Sequence, residues 1–201
     1  MSVFITGTDT DIGKTLVSSW LCLHSGFSYF KPIQSGSLNE TDSEIVARLS
    51  GATIHPEIYR LKEPLSPHQA AKIDLVEIDL LNIKLPVKER MIVEGAGGLM
   101  VPLNQKHFVI DLIKHLNLPV ILVAKSGLGT INHTLLSIEA LKRRNLPLQG
   151  IILTGPINPL NRASLEQYGD VPVLAELPQL LKIDQKSLEG IPLPAPLRNL
   201  L

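Results

Sequence analysis

The first fifteen residues constrain the fold of this chain most, because an apolar run leads there into a glycine-rich turn and a helical pattern. Ser2–Thr6 is short and largely apolar, which is typical of a buried strand. The turn GTDTDIGKT, at Gly7–Thr15, approaches the phosphate-binding pattern G-x-x-x-x-G-K-[ST], although five residues separate its glycines. A strand, such a turn and a helix start together direct backbone N–H groups at an anion. The segment therefore predicts a nucleotide site in preference to an ordinary strand-to-helix turn.

The end of this turn carries the residues that phosphate chemistry needs. Gly13 lets the backbone approach the phosphates, and Lys14 places a positive charge near the outer ones. The Thr15 hydroxyl is placed to bind a magnesium ion. Two acids, Asp9 and Asp11, also lie in the loop, and an anion site by itself does not account for them.

Apolar runs alternate with helix-period segments along the chain, which indicates a parallel sheet covered on both faces. We therefore predict an α/β fold, with a doubly wound, mostly parallel sheet and helices on both faces, in a single domain over residues 1–201. The further predicted strands are Phe27–Lys31, Arg90–Glu94, Pro119–Ala124, Leu148–Thr154 and Val171–Ala175; the predicted helices are Lys14–Ser25, Asp42–Leu49, Phe108–Leu116 and Ile131–Arg144.

Two segments do not follow this alternation. Glu57–Leu85 has mixed signals and two prolines, so we interpret it as an insertion or crossover. Ile191–Leu201 contains three prolines and is predicted to be irregular, with leucines that can pack back on the core.

Composition excludes several classes of function. Lys plus Arg and Asp plus Glu number 19 each, so the basic excess expected of a nucleic-acid or anionic-membrane surface is missing. Cys22 is the only cysteine, which rules out an internal disulfide and fits a reducing compartment. Neither a membrane-length apolar run nor a signal-peptide pattern is present. We expect a soluble, cytoplasmic protein with no nucleic-acid or membrane partner.

Two more loops should lie beside the nucleotide loop, because ligands of such folds bind beyond the carboxyl ends of the strands. Lys31 ends a predicted strand; alone it would be interpreted as a lysine snorkelling at a sheet edge, but here it can neutralise a second anion near the γ-phosphate. Glu94 ends another strand, where the magnesium-binding acid of such folds is found. The small residues Gly95, Ala96 and Gly97 then allow close approach of a ligand.

Asp42 is open to two interpretations. It can complete the metal site, or it can be a plain helix-start acid behind the predicted N-cap Thr41, with Glu44 in the same first turn. The six histidines form no spacing typical of a metal site, and we interpret them as surface or packing residues.

Together these segments resemble the dethiobiotin synthetase family, P-loop enzymes of biotin biosynthesis. The matches occur in order over nearly the whole chain, so the set is far more specific than any single motif. They are GTDTDIGKT at Gly7–Thr15, KPIQSGS at Lys31–Ser37, SPH at Ser66–His68, VEGAGG at Val93–Gly98, PVILVAKSGLGTINH at Pro119–His133 and AELP at Ala175–Pro178.

The resemblance implies an ATP-dependent ligase that closes a ring by forming C–N bonds. CO₂ adds to one amine of 7,8-diaminopelargonic acid to give a carbamate, and the γ-phosphate of a nucleotide, usually ATP, is transferred to it. The neighbouring amine then attacks this mixed anhydride and releases phosphate. The family also implies Mg²⁺ and a homodimer in which the partner subunit holds the substrate carboxylate at a helix N-terminus.

The resemblance further implies a role for individual residues. Lys31, Lys14 and Thr10 would be catalytic, and Thr15, Asp42 and Glu94 would bind the metal. Substrate would contact Thr10, Lys31, Ser35 and, from the partner subunit, Gly129, Thr130, Ile131 and Asn132. The nucleotide would contact Asp11, Ile12, Gly13, Lys14, Thr15, Leu16, Asp42, Glu94, Gly95, Ala96, Gly97, Thr154, Gly155, Pro178, Gln179 and Leu180.

One position departs from the family pattern. Many members place there an Asn that reads the adenine base, whereas this chain has Thr154-Gly155-Pro156. The prediction is weak base reading, through Thr154 or backbone groups, and therefore use of nucleoside triphosphates besides ATP. In the nucleotide loop, Asp9 or Asp11 can attract the cationic diamine, and the sequence leaves open which of them faces it.

Two other functions stay open. A switch ATPase of the chromosome-partition or septum-site type shares this fold class, but its loop carries an early lysine (K-G-G-x-G-K-T) where this chain has Thr8, Asp9 and Thr10. A nucleotide-binding module without catalysis would not need Lys31, Asp42 and Glu94 around one site.

Overall fold

The computed structural model describes residues 2–86 and 89–201, and its elements alternate between strand and helix for most of that length. The strands are β1 (Val3–Gly7), β2 (Ser28–Phe30), β3 (Ile33–Gln34), β4 (Ile54–His55), β5 (Tyr59–Arg60), β6 (Met91–Gly98), β7 (Val120–Lys125), β8 (Leu148–Thr154) and β9 (Val173–Leu177). The helices are α1 (Lys14–Ser25), α2 (Asp42–Ser50), α3 (Pro67–Ile73), α4 (Val109–Leu116), α5 (Thr130–Arg143), α6 (Pro159–Gly169), α7 (Gln185–Glu189) and α8 (Ala195–Leu200), with a 3-10 turn at Leu80–Asn82.

Seven of these strands form one sheet in the order β4-β2-β6-β1-β7-β8-β9, and every strand pair in it is parallel. β1 lies at the centre, where Phe4 pairs with Val93 of β6 on one side and Val120 of β7 on the other. β3 and β5 form a separate two-stranded ribbon. Because all seven strands are parallel, their carboxyl ends meet at one edge, and the loops predicted to carry chemistry leave the sheet there.

Helices cover both faces of the sheet. Ile5 faces α1, α2, α7 and α8, whereas its neighbour Phe4 faces the side covered by α3 to α6, as the alternation of a strand requires. The prediction of a doubly wound, parallel α/β fold with two helical layers is therefore confirmed. Within the described residues, every helix is too short or too polar to cross a membrane.

The structure also corrects several predicted boundaries. The prediction of an irregular tail is wrong, since Ala195–Leu200 is helical, although its leucines do pack back as expected: Leu193 and Leu197 are buried in the cluster that includes α1. Glu57–Leu85 contains β5, α3 and the 3-10 turn. The predicted strand to Glu94 continues as far as Gly98, because its glycines lie against β1, where Gly98 pairs with Gly7.

Candidate active site

A cavity of about 750 Å³ opens at the carboxyl ends of β1, β2 and β6. Its charged end lies against the start of α1, and Pro64, Leu65 and Val101 form part of its apolar wall. Eleven of the predicted site residues line it, which brings together segments as far apart as the nucleotide loop and β6. These are Thr10, Asp11, Gly13, Lys14, Thr15, Lys31, Ser35, Asp42, Glu94, Ala96 and Gly97, with Gly36 of the predicted KPIQSGS motif.

The nucleotide loop has the geometry of an anion site. Gly13 is in the left-handed region at φ 92°, and α1 begins directly after it at Lys14 without a capping side chain from the described residues. The first N–H groups of α1 are thus left for a ligand. Lys14 is buried, its Nζ donates to the Asp9 carbonyl at 2.7 Å, and burial lowers its pKa.

Lys31 lies between two carboxylates at the floor of the cavity. Its Nζ is 2.7 Å from Asp42 Oδ2 and 3.1 Å from Glu94 Oε1, and it also donates to the Gly95 carbonyl. Lys31 is only 3% exposed and Glu94 only 1%. The alternative of a snorkelling lysine at a sheet edge therefore does not hold.

The electrostatics of this cluster keep it charged. Burial by itself would lower the pKa of Lys31, but the Glu94 and Asp42 carboxylates outweigh burial and raise it. Burial would likewise raise the pKa of Asp42, yet the Lys31 ammonium and hydrogen bonds from Lys31 and Thr15 lower it. The chain thus holds a cation and anions ready at one place, which is how preorganised sites stabilise developing charge.

Asp42 begins a helix and also faces the cavity. It is the first residue of α2, and the predicted N-cap Thr41 forms a capping box with Glu44. Its carboxylate nevertheless turns towards the cavity, where Oδ1 accepts from Thr15 Oγ1 at 2.8 Å. The capping box of Thr41 and Glu44 therefore stabilises the helix start that positions Asp42 at the cavity.

The residues present fit a magnesium ion. Thr15 Oγ1 lies 2.8 Å from Asp42 Oδ1 and 3.0 Å from Glu94 Oε1, so three oxygen ligands converge. Among the described residues no group of three or more His, Cys, Asp or Glu side chains forms a metal cage. Two carboxylates and a hydroxyl instead suit Mg²⁺, which keeps several waters and takes the rest of its ligands from substrate phosphates.

The second oxygen of Glu94 is held by two residues that the sequence interpretation missed. Ser18 Oγ and Tyr29 OH donate to Glu94 Oε2 at 2.7 and 3.1 Å. Burial, and then the Glu94 charge, raises the pKa of Tyr29. Spacing could have found both, since Ser18 lies one helical turn after Thr15 and Tyr29 lies two strand positions before Lys31.

The predicted substrate side is formed by Thr10 and Ser35. A Cβ on Gly97 would lie 3.4 Å from Thr10 Oγ1, so the glycine-rich end of β6 packs against this wall. Ser35 Oγ is enclosed and has no hydrogen-bond partner within residues 2–86 and 89–201, as expected of a ligand contact. Of the two loop acids, Asp11 lines the cavity, whereas the Asp9 carboxylate accepts from the Thr10 N–H.

The predicted base side lies behind the nucleotide loop. Thr154 Oγ1 donates to the Ile12 carbonyl at 2.6 Å, and Gly155 N–H donates to the Leu177 carbonyl just before Pro178, Gln179 and Leu180. The structure thus brings these loops together beside α1. The hydroxyl hydrogen of Thr154 is therefore used within the protein, on the nucleotide loop.

Other predicted residues lie outside the cavity wall. Ile12 is buried in the core, Leu16 packs against it, and Gly95 makes room for Phe4, since a Cβ there would come within 3.0 Å of that ring. The α5 start, Gly129 to Asn132, also does not reach this cavity in the chain described. Gly129 is left-handed at φ 93°, and no side chain of the described residues caps α5, although the Thr130 N–H donates to the Gly127 carbonyl.

Comparison with known proteins assigns the family. A family model described as an AAA domain matches residues 1–187. The ATP-dependent dethiobiotin synthetase BioD of Lawsonia intracellularis is 50% identical over 200 residues, covering 100% of this chain and 98% of that protein. The protein of the same name from Paramagnetospirillum magneticum is 51% identical over 194 residues, covering 96% of this chain and 95% of that protein.

A solved structure gives the fold but not the family. The septum-site-determining protein MinD of Pyrococcus horikoshii, complexed with Mg-ADP, superposes with a TM-score of 0.55 over 96% of this chain and 87% of that chain. Its sequence identity is only 18%, so this likeness to the class of the rival switch ATPases is one of fold alone. The sequence relatives match over nearly their whole length, and the chain belongs to the ATP-dependent dethiobiotin synthetase family of enzymes, as its motifs predicted.

Proposed function

We propose that this protein makes dethiobiotin, the product in the names of its relatives, from 7,8-diaminopelargonic acid, CO₂ and a nucleoside triphosphate. The observation that carries the proposal is the convergence of Lys14, Thr15, Lys31, Asp42 and Glu94 on one cavity beside an uncapped helix start. Nucleotide binding alone does not call for a buried lysine fixed between two carboxylates.

The reaction brings two anions together, and the site is suited to that task. The substrate carbamate and the γ-phosphate repel each other, so cations must lie between or beside them. Lys14 and Lys31 supply two such charges in surroundings shielded from water, where they act most strongly. Thr10 and Ser35 line the same cavity and would orient the carbamate against the phosphate.

Mg²⁺ would be held by Thr15, Asp42 and Glu94, and when bound it would neutralise phosphate charge. The Lys31 ammonium is held by both carboxylates at the cavity wall, where it would face the carbamate. Asp11 lines the cavity and is the loop acid that we assign to the cationic diamine.

We further propose that the active form is a homodimer. The start of α5 stays away from the cavity, and Leu128 beside it is fully exposed, which suits a surface that meets a second copy. In that arrangement Gly129 to Asn132 of one subunit would hold the substrate carboxylate of the other. A cytoplasmic location follows from the reaction and stays a prediction.

Phosphate release by the purified protein tests the reaction. With diaminopelargonic acid, bicarbonate, Mg²⁺ and ATP, we expect phosphate only when the diamine is present, together with dethiobiotin by mass spectrometry. Phosphate release that does not depend on the diamine would favour a switch ATPase instead, and no release with any nucleotide would exclude both. Repeating the assay with CTP, GTP and UTP measures base preference, and we expect turnover with more than one of them.

A further inference from the structure

The two oxygens of Glu94 have different surroundings. Oε1 faces the cavity and contacts Thr15 and Lys31, at 3.0 and 3.1 Å. Oε2 points into the protein and accepts from Ser18 and Tyr29, whose hydroxyls are both buried. One oxygen is therefore left for ligands, while the other is used entirely within the protein.

The four residues that contact the Glu94 carboxylate come in two pairs, each pair close together in the chain. Thr15 and Ser18 are three residues apart on α1, so their hydroxyls point from the same face of the helix. Tyr29 and Lys31 are two positions apart on and just after β2, so they share a face of the sheet. Each residue that contacts Oε1 thus has a companion on the same element that contacts Oε2.

Packing alone does not account for the Tyr29 hydroxyl. The ring is completely buried in an apolar cluster with Val46, Leu49 and Ile92, where a phenylalanine would fill nearly the same space. Burying a hydroxyl is unfavourable unless it forms a hydrogen bond. Among the described residues, Glu94 is the only hydrogen-bond partner of this hydroxyl.

We propose that Tyr29, together with Ser18, is a positioning residue that fixes the Glu94 carboxylate so that Oε1 alone is presented to the metal ion. The inference rests on the proposed function, because it assigns the metal of that reaction to Glu94. The terminal torsion of a glutamate is broad, so an untethered carboxylate would turn freely and bind the ion less well. Two donors on Oε2 remove this freedom before the ion arrives.

Mn²⁺ affinity tests the proposal without relying on turnover. Tyr29→Phe removes one oxygen and keeps the ring, and Mn²⁺ binding is measured by electron paramagnetic resonance in the presence of a non-hydrolysable ATP analogue. We expect affinity to fall about tenfold or more, the usual effect of losing a hydrogen-bond partner of a metal ligand. Ser18→Ala should act in the same direction, and kcat should fall while the KM for the diamine stays unchanged.

Tyr59→Phe is the matched control. The Tyr59 hydroxyl is also hydrogen bonded, to the backbone of Asp79, but it lies outside the cavity wall. Losing it should lower the melting temperature and leave Mn²⁺ affinity unchanged. A role of Tyr29 in stability alone would give the same pattern at position 29.

Several outcomes would overturn the proposal. They are wild-type Mn²⁺ affinity in both Tyr29→Phe and Ser18→Ala, an equal loss in Tyr59→Phe, or no Mn²⁺ binding by the wild-type protein. Ser18→Ala keeps the test valid where Tyr29→Phe does not fold. If Mn²⁺ binding changes as expected but the wild-type protein makes no dethiobiotin, the proposed function fails and the positioning role stands.

Discussion

The charged floor of the cavity and the start of α5 differ in how far their polar groups are paired within one chain. At the floor, Lys31, Asp42 and Glu94 are joined by direct contacts before any ligand is present. At the start of α5, no side chain of the described residues caps the helix, and Leu128 is fully exposed. Charges must be fixed in advance because burying them unpaired is costly, whereas a carboxylate at the far end of a substrate needs only a helix terminus.

Among the variants proposed here, Lys31→Ala should have the largest effect, because it removes the cation that lies between Asp42 and Glu94 at the cavity floor. We expect kcat to fall by a factor on the order of 10² to 10³, as when a preorganised charge contact is lost, with little change in nucleotide affinity. Turnover and nucleotide binding are measured separately, by phosphate release and by calorimetry. Lys182→Ala, at an exposed ion pair with Asp184, is the control and should keep full activity. Equal losses of turnover and affinity would make Lys31 an ordinary nucleotide contact.

Gly129→Ala tests the role of the α5 start. At φ 93° a Cβ strains the turn before α5 by about 1–2 kcal/mol, so we expect the KM for the diamine to rise about tenfold with kcat nearly unchanged. Gly127→Ala is the control, since nothing lies within 4 Å of a Cβ there.

Mixing these two variants tests the shared site directly. If α5 of one subunit completes the cavity of the other, a mixed dimer of Lys31→Ala and Gly129→Ala contains one fully wild-type site. Activity at low diamine should then exceed the sum of the separate variants. Strictly additive activity in exchanged dimers, or a monomer by sedimentation, would contradict the proposed dimer.

Thr154→Val tests whether the predicted base-binding region is also held by hydrogen bonds within the protein, as the cavity floor is. Its hydroxyl bonds to the Ile12 carbonyl at 2.6 Å, so losing it leaves a buried acceptor unpaired and should cost about 1–3 kcal/mol of unfolding free energy. Urea denaturation measures this cost, and Thr154→Ser should recover much of it. The ratio of ATP to CTP turnover should not change, because the hydroxyl faces the loop; a changed ratio would mean that Thr154 reads the base.

The sequence predicted the sheet, its helical layers and the residues at the floor, because each of these leaves a local signal. Parallel strands are continuously apolar, and Lys14, Lys31 and Glu94 follow such strands at the edge where ligands bind. The spacing of Gly13-Lys14-Thr15 before a helical pattern fixed the nucleotide loop in the same way.

What the sequence did not predict depends on contacts between distant segments. The two-residue spacing of Tyr29 and Lys31 places both on one face of the sheet, but it does not show that the Tyr29 hydroxyl meets a carboxylate 65 residues further along. The helical tail escaped prediction because prolines normally interrupt helices, but Pro196 lies in the first turn of α8, where its missing N–H costs little. The partner-dependent roles of the α5 start stay predictions, since they concern a second chain.

The central position of β1 also has a consequence for how the protein is made. β1 is synthesised first, yet its two neighbours, β6 and β7, end at Gly98 and Lys125. β1 therefore cannot pair with both of its neighbours until synthesis has passed Lys125. Such long-range parallel pairing folds slowly and leaves apolar strands exposed meanwhile. Nascent chains of this protein should accordingly acquire nucleotide binding late, and depend on chaperones until then.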